Sequence, residues 1–238
     1  MNELTVDKVE KYIKNLLADQ MNKNFLFHSQ GYAKKTIVEV NKILSESGNQ
    51  QVDQNRVIIA AWFLYSGYAV DYENHLNESL QLASSFLKEN KVDQNDIDQI
   101  HSLISCPWKD ENPENDEEAI LKDVSCWFYA SENFEEMLQL LRLELENFDK
   151  SVPDLDTWRL NYVEKLRIQH RFYTDYAKEN WQEKKENNIL SLISRLQKSE
   201  KTEKKEVLKA RLKDESPQRA IQSLYRIELR NHIKLSDI

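Results

Sequence analysis

Apolar residues return every three or four positions along nearly the whole chain, the spacing of one face of an α-helix. Val9, Tyr12, Ile13, Leu16 and Leu17 predict a first helix from about Val6 to Met21. Ile37, Val38, Val40, Ile43 and Leu44 predict a second, following Gly31 and stopped near Gly48, where glycine is a natural helix end. The run VIIAAWFLY (57–65) is apolar all round and predicts a helix at the centre of the bundle. Its β-branched start suits a strand, but Ala60, Ala61 and the lack of partner strands favour helix. Further helices are predicted near Tyr72–Asn90, Asp93–Ser105, Asn115–Ala130, Ser131–Phe148 and Leu155–Phe172. Pro107 and Pro113 bracket a loop, and Pro153 sits at a helix start, where its missing N–H costs nothing. The expected fold class is all-α.

From about Tyr176 the character changes. A long helical pattern carries Trp181, Ile189, Leu190, Leu192, Ile193 and Leu196, then meets KSEKTEKKE, in which seven of nine residues are charged and which cannot be buried. Val207, Leu208 and Leu212 follow, then Pro217 and an amphipathic segment, RAIQSLYRIELRNHIKL. Charge divides at the same place: residues 178–238 hold 15 basic and 10 acidic side chains, net +5, and residues 1–177 hold 18 and 31, net −13. The expected organisation is an acidic domain over 1–175 and a basic helical tail over 176–238.

Composition removes several classes of function. The three glycines, Gly31, Gly48 and Gly67, are too far apart for a phosphate-cradling loop of the GxGxxG or GxxxxGK[ST] type. Cys106 and Cys126 lack the spacing of a zinc knuckle or a disulfide framework and fit a reducing cytoplasm. The N-terminus has no signal-peptide pattern, and the longest apolar run, nine residues from Val57 to Tyr65, is about half of what a membrane-spanning helix needs.

Four segments carry candidate chemistry: FHSQGYAKKT (27–36), AAWFLYSGY (60–68) followed by YENH (72–75), LKDVSCW (121–127) and HRFYTDYAKENW (170–181). Together they resemble the HD superfamily of metal-dependent phosphohydrolases, whose patterns read approximately YHNxxHT, AAWFHDxGY, YENHE and DADL in this order. The resemblance covers about residues 1–180 and implies an HD-type helical bundle. In that family His and Asp ligands hold divalent metal, which polarises a phosphoryl oxygen and turns bound water into hydroxide. Aligned residue by residue, the first metal His falls on Tyr32, the His-Asp pair on Leu64 and Tyr65, and the last Asp of DADL on Ser125. Leu64 has no donor atom, Ser125 is a neutral hydroxyl, and tyrosine phenols are protonated at pH 7. The resemblance therefore implies a pseudoenzyme, with no catalytic residues, no metal and no cofactor.

Other family positions survive. His28 falls on the general-acid His of the phosphodiesterase-like pattern, Asp123 on the first Asp of DAD, and His75 on the His of YENHE. Lys34, Lys35 and Lys122 flank the replaced positions and can neutralise a phosphate, while Trp62, Tyr32, Tyr65 and Tyr68 offer faces for a base. The candidate ligand pocket is thus His28, Tyr32, Lys35, Leu64, Tyr65, His75, Lys122, Asp123 and Ser125. Against it stands a plainer reading, in which the aromatics are core, the lysines are solvated, and Tyr32 and Tyr65 plug the former metal space.

The last segment, SPQRAIQSLYRIELRNHIKLSDI (216–238), resembles the start of the membrane module of bacterial Pycsar transmembrane effectors. That resemblance implies a cytoplasmic head at the bacterial inner membrane in anti-phage defence. Its expected partners are a cyclic pyrimidine mononucleotide, further copies of itself, and a membrane reached through segments outside these residues; no nucleic-acid polymer is expected. Three functional readings follow: a non-catalytic sensor head, a phosphohydrolase with relocated ligands such as His28, His75 and Asp123, and a ligand-free oligomerisation scaffold.

Overall fold

Short polar residues placed just ahead of apolar-periodic stretches set where several helices begin. In the computed structural model, which describes residues 3–20, 24–47, 52–148 and 151–214, Asp53 accepts the Arg56 N–H at 3.0 Å and starts helix α3, Gln54–Phe63. Asp93 does the same for α5, Gln94–Ser105, and Asn115 for α6, Asp116–Ser125. Asp154 receives two N–H groups at the start of α8, Leu155–Glu164. Such caps each stabilise a helix by about 1 kcal/mol. The remaining helices are α1 (Glu3–Gln20), α2 (Gln30–Ser47), α4 (His75–Glu89), α7 (Phe134–Phe148) and α9 (Asp175–Asp214). No strand occurs among the described residues, so the fold is all-α.

The chain divides into two compact units, residues 1–152 with 171–186, and residues 153–170 with 187–238. In the first, α3 is the central helix, touching α1, α2, α4, α5 and α6. Its Val57, Ile59 and Ala60 to Phe63 are buried, as an all-round apolar run requires. The second unit holds α8, a π-type turn over Lys165–Gln169, and α9 beyond residue 186. There Arg159 pairs with Asp156 at 2.9 Å, and Ser199 donates to the same carboxylate.

Several helix ends differ from the sequence expectation. Helix α3 stops at Phe63, and Ser66–Ala69 form a 3₁₀ turn instead. This turn presses its backbone onto α4: a Cβ on Gly67 would lie 1.8 Å from the His75 carbonyl oxygen, and the Gly67 N–H donates to Ser79 Oγ at 2.9 Å. Only glycine permits that approach. Asp71 accepts the N–H groups of Glu73 and Asn74, which delays α4 from Tyr72 to His75. The expected helix Asn115–Ala130 breaks after Ser125 into a 3₁₀ turn, Trp127–Ala130, and Leu155–Phe172 ends in the π-type turn. No helix among the described residues is long and apolar enough to cross a membrane. The side chains of Val207, Leu208 and Leu212, and all of 216–238, lie outside what is described.

Candidate functional site

Tyr32 from α2, Tyr65 just past the end of α3 and Ser125 at the end of α6 lie together. The Tyr65 hydroxyl donates to the Ser125 carbonyl oxygen at 2.9 Å, and the Tyr32 ring lies against that of Tyr65. The two phenol rings lie 5.3 Å apart, and Leu64, which precedes Tyr65 in the chain, is fully buried. Burial, followed by neighbouring ionisable groups, holds both phenols well above their ordinary pKa, so they remain neutral donors. Tyr32 also stacks on Trp127, whose indole N–H donates to Thr36 Oγ1 at 3.0 Å. Thr36 in turn donates to the Tyr32 carbonyl, so this block closes on itself.

His28 and His75 meet across a different residue. Tyr68 lies between them, with ring centroids 3.9 Å from His28 and 4.0 Å from His75 and interplanar angles of 16° and 10°. The two imidazoles thus cover opposite faces of one phenol. His28 is positioned by Glu144, which sequence reasoning missed. Its carboxylate accepts the backbone N–H of Phe27 at 2.7 Å and of His28 at 3.0 Å, contacts His28 Nδ1 at 2.5 Å, and accepts from Tyr72 at 3.3 Å. Burial opposes the charge of Glu144, but the His28 ring and the backbone donors prevail and hold its pKa below the usual range. The signal was available: Glu144 follows Met137 by seven residues, on the apolar face of α7. His75 is pushed down to about 4 by burial and by His28, and is neutral at pH 7. Around these rings lies a cleft of about 440 Å³, bordered also by Tyr72, Glu73 and Phe148.

The remaining candidates go elsewhere. Asp123 is buried and accepts the N–H groups of Tyr173 at 2.9 Å and Thr174 at 2.8 Å, together with the Thr174 hydroxyl at 2.7 Å. It anchors the entry to α9; burial raises its pKa to about 6 against the pull of these donors. Lys122 donates to the Lys109 carbonyl at 2.7 Å. Lys34 donates to Gln30, and Lys35 pairs with Glu39 at 3.0 Å. Lys35 and Tyr32 border a second, larger cavity of about 640 Å³, which His28 and His75 do not reach. The nine candidates therefore separate into a buried tyrosine block, a histidine cleft, a lysine-bearing cavity and two structural contacts.

The chain matches no protein-family model, no curated protein and no solved structure. What the geometry supplies has to be argued from its own groups. Hard divalent cations prefer carboxylate and neutral imidazole donors. The tyrosine block offers two neutral phenols, an alkyl chain, a serine hydroxyl that donates to the Lys122 carbonyl and a backbone carbonyl already in use, so these residues do not fit a catalytic metal. Cys106, with its thiol pushed up to about 12 by burial and by Glu118, offers no nucleophile at neutral pH.

Proposed function

We propose that this chain is the non-catalytic head of an HD-type, Pycsar-like signalling protein, which recognises a cyclic pyrimidine mononucleotide instead of hydrolysing it. The observation that carries the reading is the Tyr65 hydroxyl bonded to the Ser125 carbonyl with the Tyr32 ring against it, at positions where the resemblance puts the family's metal ligands. Neutral phenols, an alkyl chain and a serine hydroxyl that donates to the Lys122 carbonyl stand there in place of imidazoles and carboxylates. Surviving polar and aromatic groups in two cavities supply material for recognition. In the same reading, the basic tail carries the ligand's effect toward an anionic membrane surface, which attracts juxtamembrane Lys and Arg by about 1 kcal/mol each.

A ligand shifts a conformational equilibrium only by its difference in affinity for the two states, about 1.4 kcal/mol per tenfold. The test is paired. Protein purified with Mn²⁺ and Zn²⁺ present is analysed for metal and assayed against cyclic and linear nucleotides, and calorimetry measures cyclic CMP and cyclic UMP binding. Binding without stoichiometric metal or turnover is the expected result. Metal-stimulated hydrolysis would replace this reading with the relocated-ligand enzyme, and concentration-dependent assembly with no nucleotide response would replace it with the scaffold.

A further inference from the structure

We propose that the cavity bordered by α2, the turn at 130–133 and the first turns of α9 binds a small anionic ligand that carries a planar ring. Its identity as a cyclic pyrimidine mononucleotide rests on the receptor reading above; its place and chemical class rest on the cavity itself. At about 640 Å³ it has the size of small-molecule sites, which run from roughly 300 to 1,000 Å³.

Three cations border it: Lys35 and Lys42 from α2, and Lys184 from α9. Glu39, only 5% exposed, accepts from Lys35 at 3.0 Å and from Lys42 at 2.9 Å. One buried carboxylate thus orients two ammonium groups while cancelling only one of their charges. An ammonium has three donors, so each keeps N–H groups for an incoming anion. Lys184 adds its charge from the facing helix, and Glu132 at the border offsets part of the total. Side chains already arranged in this way lose less freedom on binding than free surface lysines do.

The same cavity offers ring faces. Trp127 is fixed by its bond to Thr36 and by stacking on Tyr32 with centroids 5.3 Å apart. The Lys35 ammonium sits 5.9 Å from the Trp127 ring centre, so a cation and an aromatic surface adjoin. Tyr176 contributes a second ring from α9. The histidine cleft differs in kind: among the described residues no lysine or arginine borders it, Glu73 does, and His75 is neutral at pH 7. An anion is therefore drawn to the lysine cavity and not to the cleft. Because the lysines come from two helices, a ligand that engages all three ties the opening turns of α9 to α2.

The experiment is calorimetry of cyclic CMP and cyclic UMP on the full chain, on Lys42→Ala, Lys184→Ala and Tyr176→Ala, and on Lys88→Ala as a charge-matched control. Amide hydrogen exchange is followed over 175–186. Each cavity lysine removed weakens binding about tenfold, the scale of one charge-assisted contact, and the control leaves it unchanged. Bound ligand also slows exchange in the first turns of α9. Binding that survives Lys42→Ala and Lys184→Ala within twofold, or that is abolished by His75→Ala instead, overturns the cavity assignment and leaves the receptor reading standing. Failure of the unaltered chain to bind either nucleotide overturns both.

Discussion

Replacing Glu144 with alanine should destabilise the first unit more than any surface change. The carboxylate is fully buried and receives two backbone N–H groups, the His28 ring nitrogen and the Tyr72 hydroxyl. Each donor left buried without a partner costs about 1–3 kcal/mol, while removing the carboxylate relieves its own desolvation. Breaking buried charge pairs from one side nets about 3–5 kcal/mol. For a chain of this size each kcal/mol moves the midpoint by about 2–4 °C, so Glu144→Ala should melt roughly 6–20 °C lower. Glu144→Gln keeps the volume and one acceptor but turns an amide N–H₂ toward a donor, and should lie between the two. The pH dependence has a definite sign. A carboxylate held below its ordinary pKa contributes stability above the unfolded value and loses it as pH falls through the lower, folded value. The Glu144→Ala penalty should therefore be largest at neutral pH and shrink in acid. Circular-dichroism melts give the total, and amide exchange at Phe27 and His28 gives the local effect, which matters in a chain with two compact units. A loss below about 1 kcal/mol at pH 7, or a penalty equally large in acid, would refute the claim that this carboxylate holds the segment in place.

Three further outcomes are expected. Trp62 has a buried indole N–H without a partner among the described residues, whereas that of Trp127 is bonded to Thr36; Trp127→Phe should cost at least about 1 kcal/mol more than Trp62→Phe in urea denaturation. Gly67→Ala forces a methyl against the His75 carbonyl backbone and should cost at or beyond the top of the about 1–3 kcal/mol overpacking range, measured by the same denaturation. His75 titrates near 4 when folded and near 6.5 when unfolded, so its burial costs stability as pH falls through that window; His75→Phe, which keeps a ring on Tyr68, should gain on the unaltered protein in melts taken from pH 7 down to pH 4.

The existence of the helices was legible because the 3.6-residue period holds over long stretches. Their ends were less so, because contacts far along the chain decide them. Nothing near Leu64 announces that α3 stops at Phe63; the stop follows from the approach of Gly67 to the α4 backbone. The proximity of Tyr32, Tyr65 and Ser125 was legible only through the family resemblance, and the employment of Asp123 was not legible at all. Its partners, Tyr173 and Thr174, stand 50 and 51 residues away, and no local pattern carries that pairing. Glu144 is the intermediate case: a charged residue on an otherwise apolar helix face already signals a buried partner, though not that the partner is His28.

The tyrosine block also shows why metal-ligand side chains would sit poorly at these positions. Positions 32, 64 and 65 are 5%, 0% and 7% exposed, so whatever stands there is shielded from water. A carboxylate at 65 without a cation would be a buried charge lacking a counterion, which costs several kcal/mol or forces protonation. Imidazoles at 32 and 64 would need acceptors that the surrounding aromatics do not provide. Tyr65 meets the constraint by donating to the Ser125 carbonyl, and Leu64 meets it by having nothing to satisfy. Introducing a single ligand there, for example by Tyr65→Asp, would remove a satisfied hydrogen bond without creating a metal site.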